Sequence, residues 1–218
     1  AGFEVQFALQ EQHLGTAHAV ACAQSLLEGK AERVLVTCAD MPLLQEETLR
    51  RLISLHEQLG GVITMTSIIG EVPRGFGRVL RNDQGNVQSI IEEAAATPAQ
   101  LAIREYNVSA YCFDAAWLWQ NLNLIQLSAK HEYYLTDLVG IAVSQGHQVE
   151  SLIIEDPAEA LGINTRVDLA AAEQAMRNRI NQHWMLAGVT LLDPATTTIE
   201  PAVSIGSDTI IYPNTALR

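Results

Sequence analysis

Neither a cluster of lysines and arginines nor an apolar run long enough to cross a bilayer occurs in the 218-residue chain. Only 13 basic residues stand against 25 acidic ones, for a net charge of -12. Phosphate backbones and anionic membranes are held chiefly by clustered cations, so nucleic acid is not an expected partner and membrane insertion is not expected either. Cysteine is scarce: Cys22, Cys38 and Cys112 are odd in number and match no zinc-ligand spacing or disulfide framework. Reduced thiols in a soluble, cytoplasmic protein are the simplest account, and no cationic stretch leads into an apolar run at the N-terminus. A Gly-x-Ser-x-Gly elbow, a His-Glu-x-x-His zinc pattern and a convincing Ser-His-Asp order are also missing, which removes support for a hydrolase.

What is there is an apolar content of 48%, enough for one substantial core or one domain with an appendage. A small phosphorylated substrate remains open despite the acidic balance, because a bound cation and a few directed donors can neutralise phosphate locally. That route requires a metal.

Strand-like and helix-like segments alternate in the first half. Phe3 to Leu9 and Arg33 to Cys38 read as short buried strands around a helix from about Thr16 to Glu28. Glu46 to Leu59 carries leucine and isoleucine at helical spacings, is stopped by Gly60-Gly61, and leads into a strand from Val62 to Ile69. This rhythm predicts an α/β fold with a mostly parallel sheet and helices on its faces. Between Val79 and Ile91, the turn-forming run Arg81-Asn82-Asp83-Gln84-Gly85-Asn86 predicts an antiparallel hairpin insertion. Tyr106 to Phe113 and Val149 to Ile154 are further strands, with an apolar helix from Tyr134 to Ser144 between them. Thr165 and Asp168 are placed as a capping box for a long helix whose face of Leu169, Ala172, Met176, Ile180 and Trp184 persists to Gly188. Beyond it, Ile199, Ile205, Ile211 and Leu217 recur every six residues, with Val203, Thr209 and Thr215 in a second register. A strict six-residue period reads as coils of a β-helix, each aliphatic side chain stacking on the next coil, and it is expected to continue beyond Arg218.

Several positions could carry chemistry, each with an ordinary structural reading beside it. Asp40 follows the apolar run Val34 to Ala39, at the carboxyl end of a buried strand, where ligands of open α/β sheets gather. A hard cation shared between a carboxylate and substrate phosphates suits that position, and so does a cap on the turn at Met41-Pro42. Gly15-Thr16 offers either donors at a helix start or a tight turn with Thr16 as N-cap. His18 reads as a helix-face residue. Gly75-Phe76-Gly77-Arg78 either brings backbone amides to a substrate or permits a bend. Glu92 and Asn107 suit hydrogen bonds to sugar hydroxyls and an acetamido group, or buried structural pairing. Thr136 or Asp137 caps the following helix while Glu132 and the neighbouring tyrosines face a cleft.

In order along the chain, Gln10 with Leu14-Gly15-Thr16, Ala39-Asp40-Met41-Pro42-Leu43, Gly75-Phe76-Gly77-Arg78, Glu92, Asn107, Glu132-Tyr133-Tyr134-Leu135-Thr136-Asp137, Asn164 and the terminal hexads form a series. The series resembles the bifunctional N-acetylglucosamine-1-phosphate uridylyltransferase and glucosamine-1-phosphate acetyltransferase family, over nearly the whole chain. The resemblance implies a Rossmann-like nucleotidyltransferase mixed sheet with flanking helices over residues 1–164, a connecting helix over 165–188 and the start of a left-handed parallel β-helix over 189–218. It implies UTP and N-acetylglucosamine-1-phosphate as substrates, Mg²⁺ as cofactor and a homotrimer in the full-length protein. By the same resemblance, Gln10 reads the uracil, Gly15, Thr16, Cys38 and Ala39 contact the nucleotide, and Asp40 with Asn164 holds Mg²⁺ and makes up the catalytic pair. Gly77, Glu92, Asn107 and Thr136 bind the sugar. The resemblance also has the chain start after the family's glycine-rich triphosphate loop, so the 218 residues alone are expected to show little uridylyltransferase activity. Ala17 and Ala39 stand where glycine is usual, Val108-Ser109 where Thr-Gly is usual after Asn107, and Ala94-Ala95 where a Lys-Asp pair is usual. The related thymidylyltransferases for glucose-1-phosphate, and a catalytically silent nucleotide-binding or trimerisation module, are the alternatives.

Overall fold

The computed structural model describes residues 5–70 and 75–218. Contacts divide the chain into two compact units, Ala1–Cys38 with Gln45–Pro157, and Ala39–Leu44 with Ala158–Arg218. Among the described residues no helix is long and apolar enough to cross a membrane.

In the first unit, Thr16–Cys22 (α1) and Gln24–Leu27 (α2) precede Arg33–Val36 (β1), and Glu46–Leu59 (α3) leads to Ile63–Ile69 (β2). Arg78–Arg81 (β3) and Val87–Ile91 (β4) make the hairpin, Pro98–Leu101 (α4) follows, and Glu105–Asp114 (β5) runs into Ala115–Asn121 (α5). Asp137–Ser144 (α6) and Glu150–Ile153 (β6) complete it. β5 and β2 are buried along nearly their whole lengths, so both need neighbours at each edge and cover on each face. β5 supplies the centre: the sheet order is β4-β3-β5-β2-β6, with β1 also paired to β5. On α3, Thr48, Leu52 and His56 are buried at four-residue spacing and form the face turned to the sheet. His56 meets Thr64 Oγ1 at 3.0 Å through Nδ1, and burial lowers its pKa, which keeps the ring neutral. Leu138, Val139 and Ala142 of α6 and Trp117 and Leu118 of α5 join one continuous core.

Four expectations need correction. The sheet is mixed rather than mostly parallel: β5 is antiparallel to β1, β2 and β3, and β2–β6 is the parallel pair. β5 follows the hairpin and the short helix α4, and lies between β1 and β2 antiparallel to both. The strand expected over Phe3 to Leu9 is irregular from Val5 onward, Phe3 and Glu4 lying outside the described residues. Val5, Phe7 and Leu9 are exposed; an apolar run without a ladder partner leaves its backbone groups to water. The helix from Thr16 is broken at Ala23 into α1 and α2. The helix expected from Tyr134 begins at Asp137, and the Leu135 N–H ahead of it donates to Thr16 Oγ1 at 2.9 Å.

The second unit is organised by Arg166–Leu186 (α7). Its capping box forms as expected: Thr165 Oγ1 accepts from Asp168 N at 3.2 Å, and Asp168 Oδ2 accepts from Thr165 N at 2.8 Å. Leu169 stays exposed, whereas Ile180 and Trp184 pack on a small core of Val189, Leu191, Ile199 and Ile211. Buried Asn181 donates to the carbonyls of Pro194 and Thr197, at 2.8 and 3.0 Å, and so fastens α7 to the segment that follows it. There, Thr190–Leu191 (β7) pairs in parallel with Ile210–Ile211 (β9), and Thr198–Ile199 (β8) with Ala216–Leu217 (β10). The aliphatic residues of the hexads point to this core, while their neighbours Ile210 and Tyr212 point out.

Candidate active site

β2 occupies one edge of β5, and both β1 and β3 occupy the other: Val36 lies opposite Tyr111, and Arg78 opposite Tyr106. Between these two pairings the edge of β5 is left open. The chain leaving β1 and the chain entering β3 reach this gap together, so Thr37, Cys38, Gly75, Phe76 and Gly77 line one cleft with Asn107, Ser109 and Tyr111. The cleft has a volume of about 600 Å³. Thr16, Glu92, Tyr134 and Thr136 line it from other segments, which is the usual concave arrangement for a small ligand.

The floor is shaped by a bulge. Met65 of β2 pairs with Tyr111 but Ser67 pairs with Asn107, so β5 carries extra residues at this point. Thr66 Oγ1 takes up the polar groups freed there, donating to Ala110 O at 3.2 Å and accepting from Ala110 N at 3.3 Å. Ser109 sits at φ 55°, in the left-handed region, and its N–H donates to Asn107 Oδ1 at 3.2 Å. Asn107 Nδ2 in turn donates to Ser109 Oγ at 3.3 Å. Burial raises the Tyr111 pKa, against hydrogen bonds from Asn107 and Ser109 that favour its charged form.

The loop before α1 is laced to the segment before α6. Tyr133 N donates to Leu14 O at 2.7 Å, and Ala17 N donates to Tyr133 O at 3.0 Å. Gly15, rather than Thr16, is the N-cap of α1, and the Thr16 hydroxyl accepts from Leu135 N instead. Thr136 precedes α6 without capping it through its side chain; its hydroxyl donates to Glu92 Oε1 at 2.8 Å. At Gly77 a β-carbon would lie 2.6 Å from Ile90 Cγ2, so packing against β4 favours glycine at this position.

Burial raises the Glu92 pKa, against the Thr136 hydrogen bond that lowers it. Folded Glu92 holds its proton more tightly than the unfolded chain does. Its contribution to stability is therefore fully present below the unfolded pKa and is lost as pH rises through the folded pKa. Glu92→Gln keeps an oxygen for Thr136 and carries no charge. In chemical unfolding it should be more stable than the parent at pH 8, with the gap closing as pH falls into the ordinary carboxyl range. A gap independent of pH would refute this.

Asp40, Ala39 and Asn164 belong to the second unit. There the Ile163 N–H donates to the Asp40 carbonyl at 2.8 Å, so the two segments carrying Asp40 and Asn164 meet at this point. Both residues are exposed. Asp168 Oδ2, beyond its capping role, accepts from Asn164 N at 3.2 Å and orders that residue's backbone. Among the described residues no group of three or more His, Cys, Asp or Glu side chains is placed to hold a metal. A carboxylate and a carboxamide are an all-oxygen donor set, which fits Mg²⁺ held with few protein ligands and completed by substrate phosphates and water.

Of the residues singled out from the sequence, Thr16, Cys38, Gly77, Glu92, Asn107 and Thr136 meet in the cleft. Gln10 and Gly15 lie off its lining: Gln10 Nε2 donates to Gly15 O at 3.1 Å and meets His18 Nδ1 at 2.9 Å. Ser109 and Tyr111 belong to the cleft and had no place among the candidates. Alternation by two along β5 from Asn107 was the available signal.

A family model described as nucleotidyl transferase matches residues 1–185. The chain belongs to the nucleotidyl transferase family. Relatives of this nucleotidyl transferase include the bifunctional protein GlmU of Shouchella clausii, 41% identical over 99% of the chain and 48% of that protein. The bifunctional protein GlmU of Trichlorobacter lovleyi is 42% identical over 98% of the chain and 47% of its own length. That of Pelotomaculum thermopropionicum is 45% identical over 96% and 46% respectively. The chain thus spans about half the length of the curated relatives it matches.

Proposed function

We propose that the protein carrying this chain transfers a uridylyl group from UTP to N-acetylglucosamine-1-phosphate, giving UDP-N-acetylglucosamine and pyrophosphate. The observation that carries the reading is the convergence of Gly77, Glu92, Asn107 and Thr136, the sugar-binding candidates, on one cleft with Thr16 and Cys38 of the nucleotide set. The likeness to the bifunctional GlmU proteins supports it.

In this reading Gln10 recognises the base. Both of its amide protons have partners, in Gly15 O and, with the ring nitrogen as acceptor, His18 Nδ1, which leaves Oε1 as an acceptor. An acceptor there matches the imide N–H of uracil, and of thymine equally, but not the bare ring nitrogen of cytosine. This is what keeps a thymidylyltransferase as the second reading. Gly15, Thr16, Cys38 and Ala39 contact the nucleotide, and Asp40 with Asn164 holds Mg²⁺, which when bound neutralises charge on the phosphoryl oxygens. The sugar phosphate is already anionic, so it attacks the α-phosphorus in line without a general base. The chain's contribution is then to position and to orient: hydrogen bonds from Asn107 and Thr16 and the carboxylate of Glu92 fix the two substrates.

The terminal hexads are proposed as the first coils of a left-handed β-helix. Leu217 lies beside Ile199, eighteen residues or three hexads earlier, in support of a three-sided coil. The proposed divisions are residues 1–164 for nucleotidyl transfer, 165–188 for the connecting helix and 189–218 for the helix start. Trimerisation, acetyl transfer beyond this segment and a cytoplasmic location complete the proposal. A panel of UTP and dTTP against N-acetylglucosamine-1-phosphate and glucose-1-phosphate, run on the full-length protein with Mg²⁺, tests it. UTP with the N-acetylated sugar should give the highest kcat/KM; a preference for dTTP with glucose-1-phosphate would favour the second reading.

A further inference from the structure

We infer that Ser109 is a specificity-determining residue that relaxes the discrimination of the cleft between sugar phosphates with and without a hydrogen-bond acceptor at the Asn107 wall. The inference rests on the proposed placement of the sugar against Asn107.

Asn107 is 3% exposed and lines the cleft. A buried donor of this kind normally enforces selectivity, because a ligand lacking the matching acceptor leaves it unsatisfied. Here part of the demand is met internally. Ser109 Oγ accepts from Asn107 Nδ2, while the Ser109 N–H occupies Oδ1. The backbone N–H can only donate, so the carboxamide orientation is determined and Nδ2 is the end that Ser109 Oγ satisfies. The carboxamide nitrogen carries two N–H groups and Ser109 Oγ takes one of them, so a sugar without an acceptor at this wall leaves fewer donors orphaned than it would without the serine.

The serine stands in a backbone conformation that favours glycine, at φ 55° in the β5 bulge. Its retention there is a strain held in place by the Asn107 pair and by Thr66, whose hydroxyl satisfies both polar groups of Ala110. Ser109→Gly leaves the backbone N–H to Asn107 Oδ1, relieves the strain and removes the surrogate acceptor together with the Ser109 hydrogen bond to Tyr111. Folding is therefore not put at risk by the test.

The ratio of kcat/KM for N-acetylglucosamine-1-phosphate over glucose-1-phosphate should rise about five- to tenfold in Ser109→Gly of the full-length protein, chiefly through a poorer KM for glucose-1-phosphate, with the KM for UTP unchanged. In the Asn107→Ala background the same substitution should leave the ratio where it is, since the coupled donor is gone. An unchanged or lower ratio in the single variant, or an equal rise in both backgrounds, overturns the inference. The reading beneath it fails separately: Asn107→Ala without effect on either sugar-phosphate KM removes the sugar from this wall altogether.

Discussion

Gly15→Ala should destabilise the fold by roughly 2–5 kcal/mol and remove nucleotidyl transfer, measured by urea unfolding and by pyrophosphate release from the full-length protein. Two independent penalties add. Gly15 sits at φ 98° and ψ -179°, a region that side chains other than hydrogen rarely enter. An added β-carbon would also stand 2.6 Å from Tyr133 O and 2.8 Å from Tyr133 N. Both are backbone atoms, held by the Leu14 and Ala17 hydrogen bonds, so neither can yield as a flexible side chain does. Gly29 supplies the control: it too has positive φ, at 73°, but nothing lies within 4 Å of its would-be β-carbon. Gly29→Ala should cost only the torsional part, about 1 kcal/mol. Equal losses at the two positions would show that the Tyr133 contact is not what makes Gly15 necessary.

The contrast explains what could be read from residues alone. Period and punctuation locate elements well when the signal is local: α3 between Glu46 and Leu59, the hairpin around Asn82 to Asn86, and the Thr165–Asp168 box all form where their spacing puts them. Direction within a sheet is not local. Nothing in Tyr106 to Phe113 states that β5 will run against both β1 and β2, because the alternation of apolar side chains is the same in either sense. Strand partners are equally invisible, which is why Val5 to Leu9 reads as a strand and is irregular.

For the cleft, residue type proved a better guide than local role. Thr16 and Thr136 were both eligible caps, and each hydroxyl is committed elsewhere, to Leu135 N and to Glu92. A short polar side chain at a helix start has several partners within reach, and only tertiary contacts choose among them. Ser109 was legible as an oddity beside Asn107, but its left-handed backbone and its hold on the carboxamide arise from the pairing of β5 with β2, across residues far apart in sequence.

With Asp40 holding the metal as proposed, Asp40→Asn should lower kcat on the order of a thousandfold in the full-length protein, since loss of a metal's charge stabilisation is worth several kcal/mol. The substitution conserves shape and an oxygen, so what it removes is charge. Asp40 is exposed and its carbonyl, not its side chain, accepts from Ile163, so the fold should be indifferent and the urea midpoint unchanged. Asn164→Ala should be milder, because a neutral oxygen contributes less to a hard cation than a carboxylate does. Direct binding separates the metal from the chemistry: Mn²⁺ added with UTP should give a bound electron-spin-resonance signal in the parent that weakens in Asn164→Ala and is lost in Asp40→Asn. A full Mn²⁺ signal together with parental turnover in Asp40→Asn would remove this carboxylate from the metal site. The oxygen donors would then lie on other segments, and the hydrogen bond from Ile163 N to the Asp40 carbonyl would be a matter of folding alone.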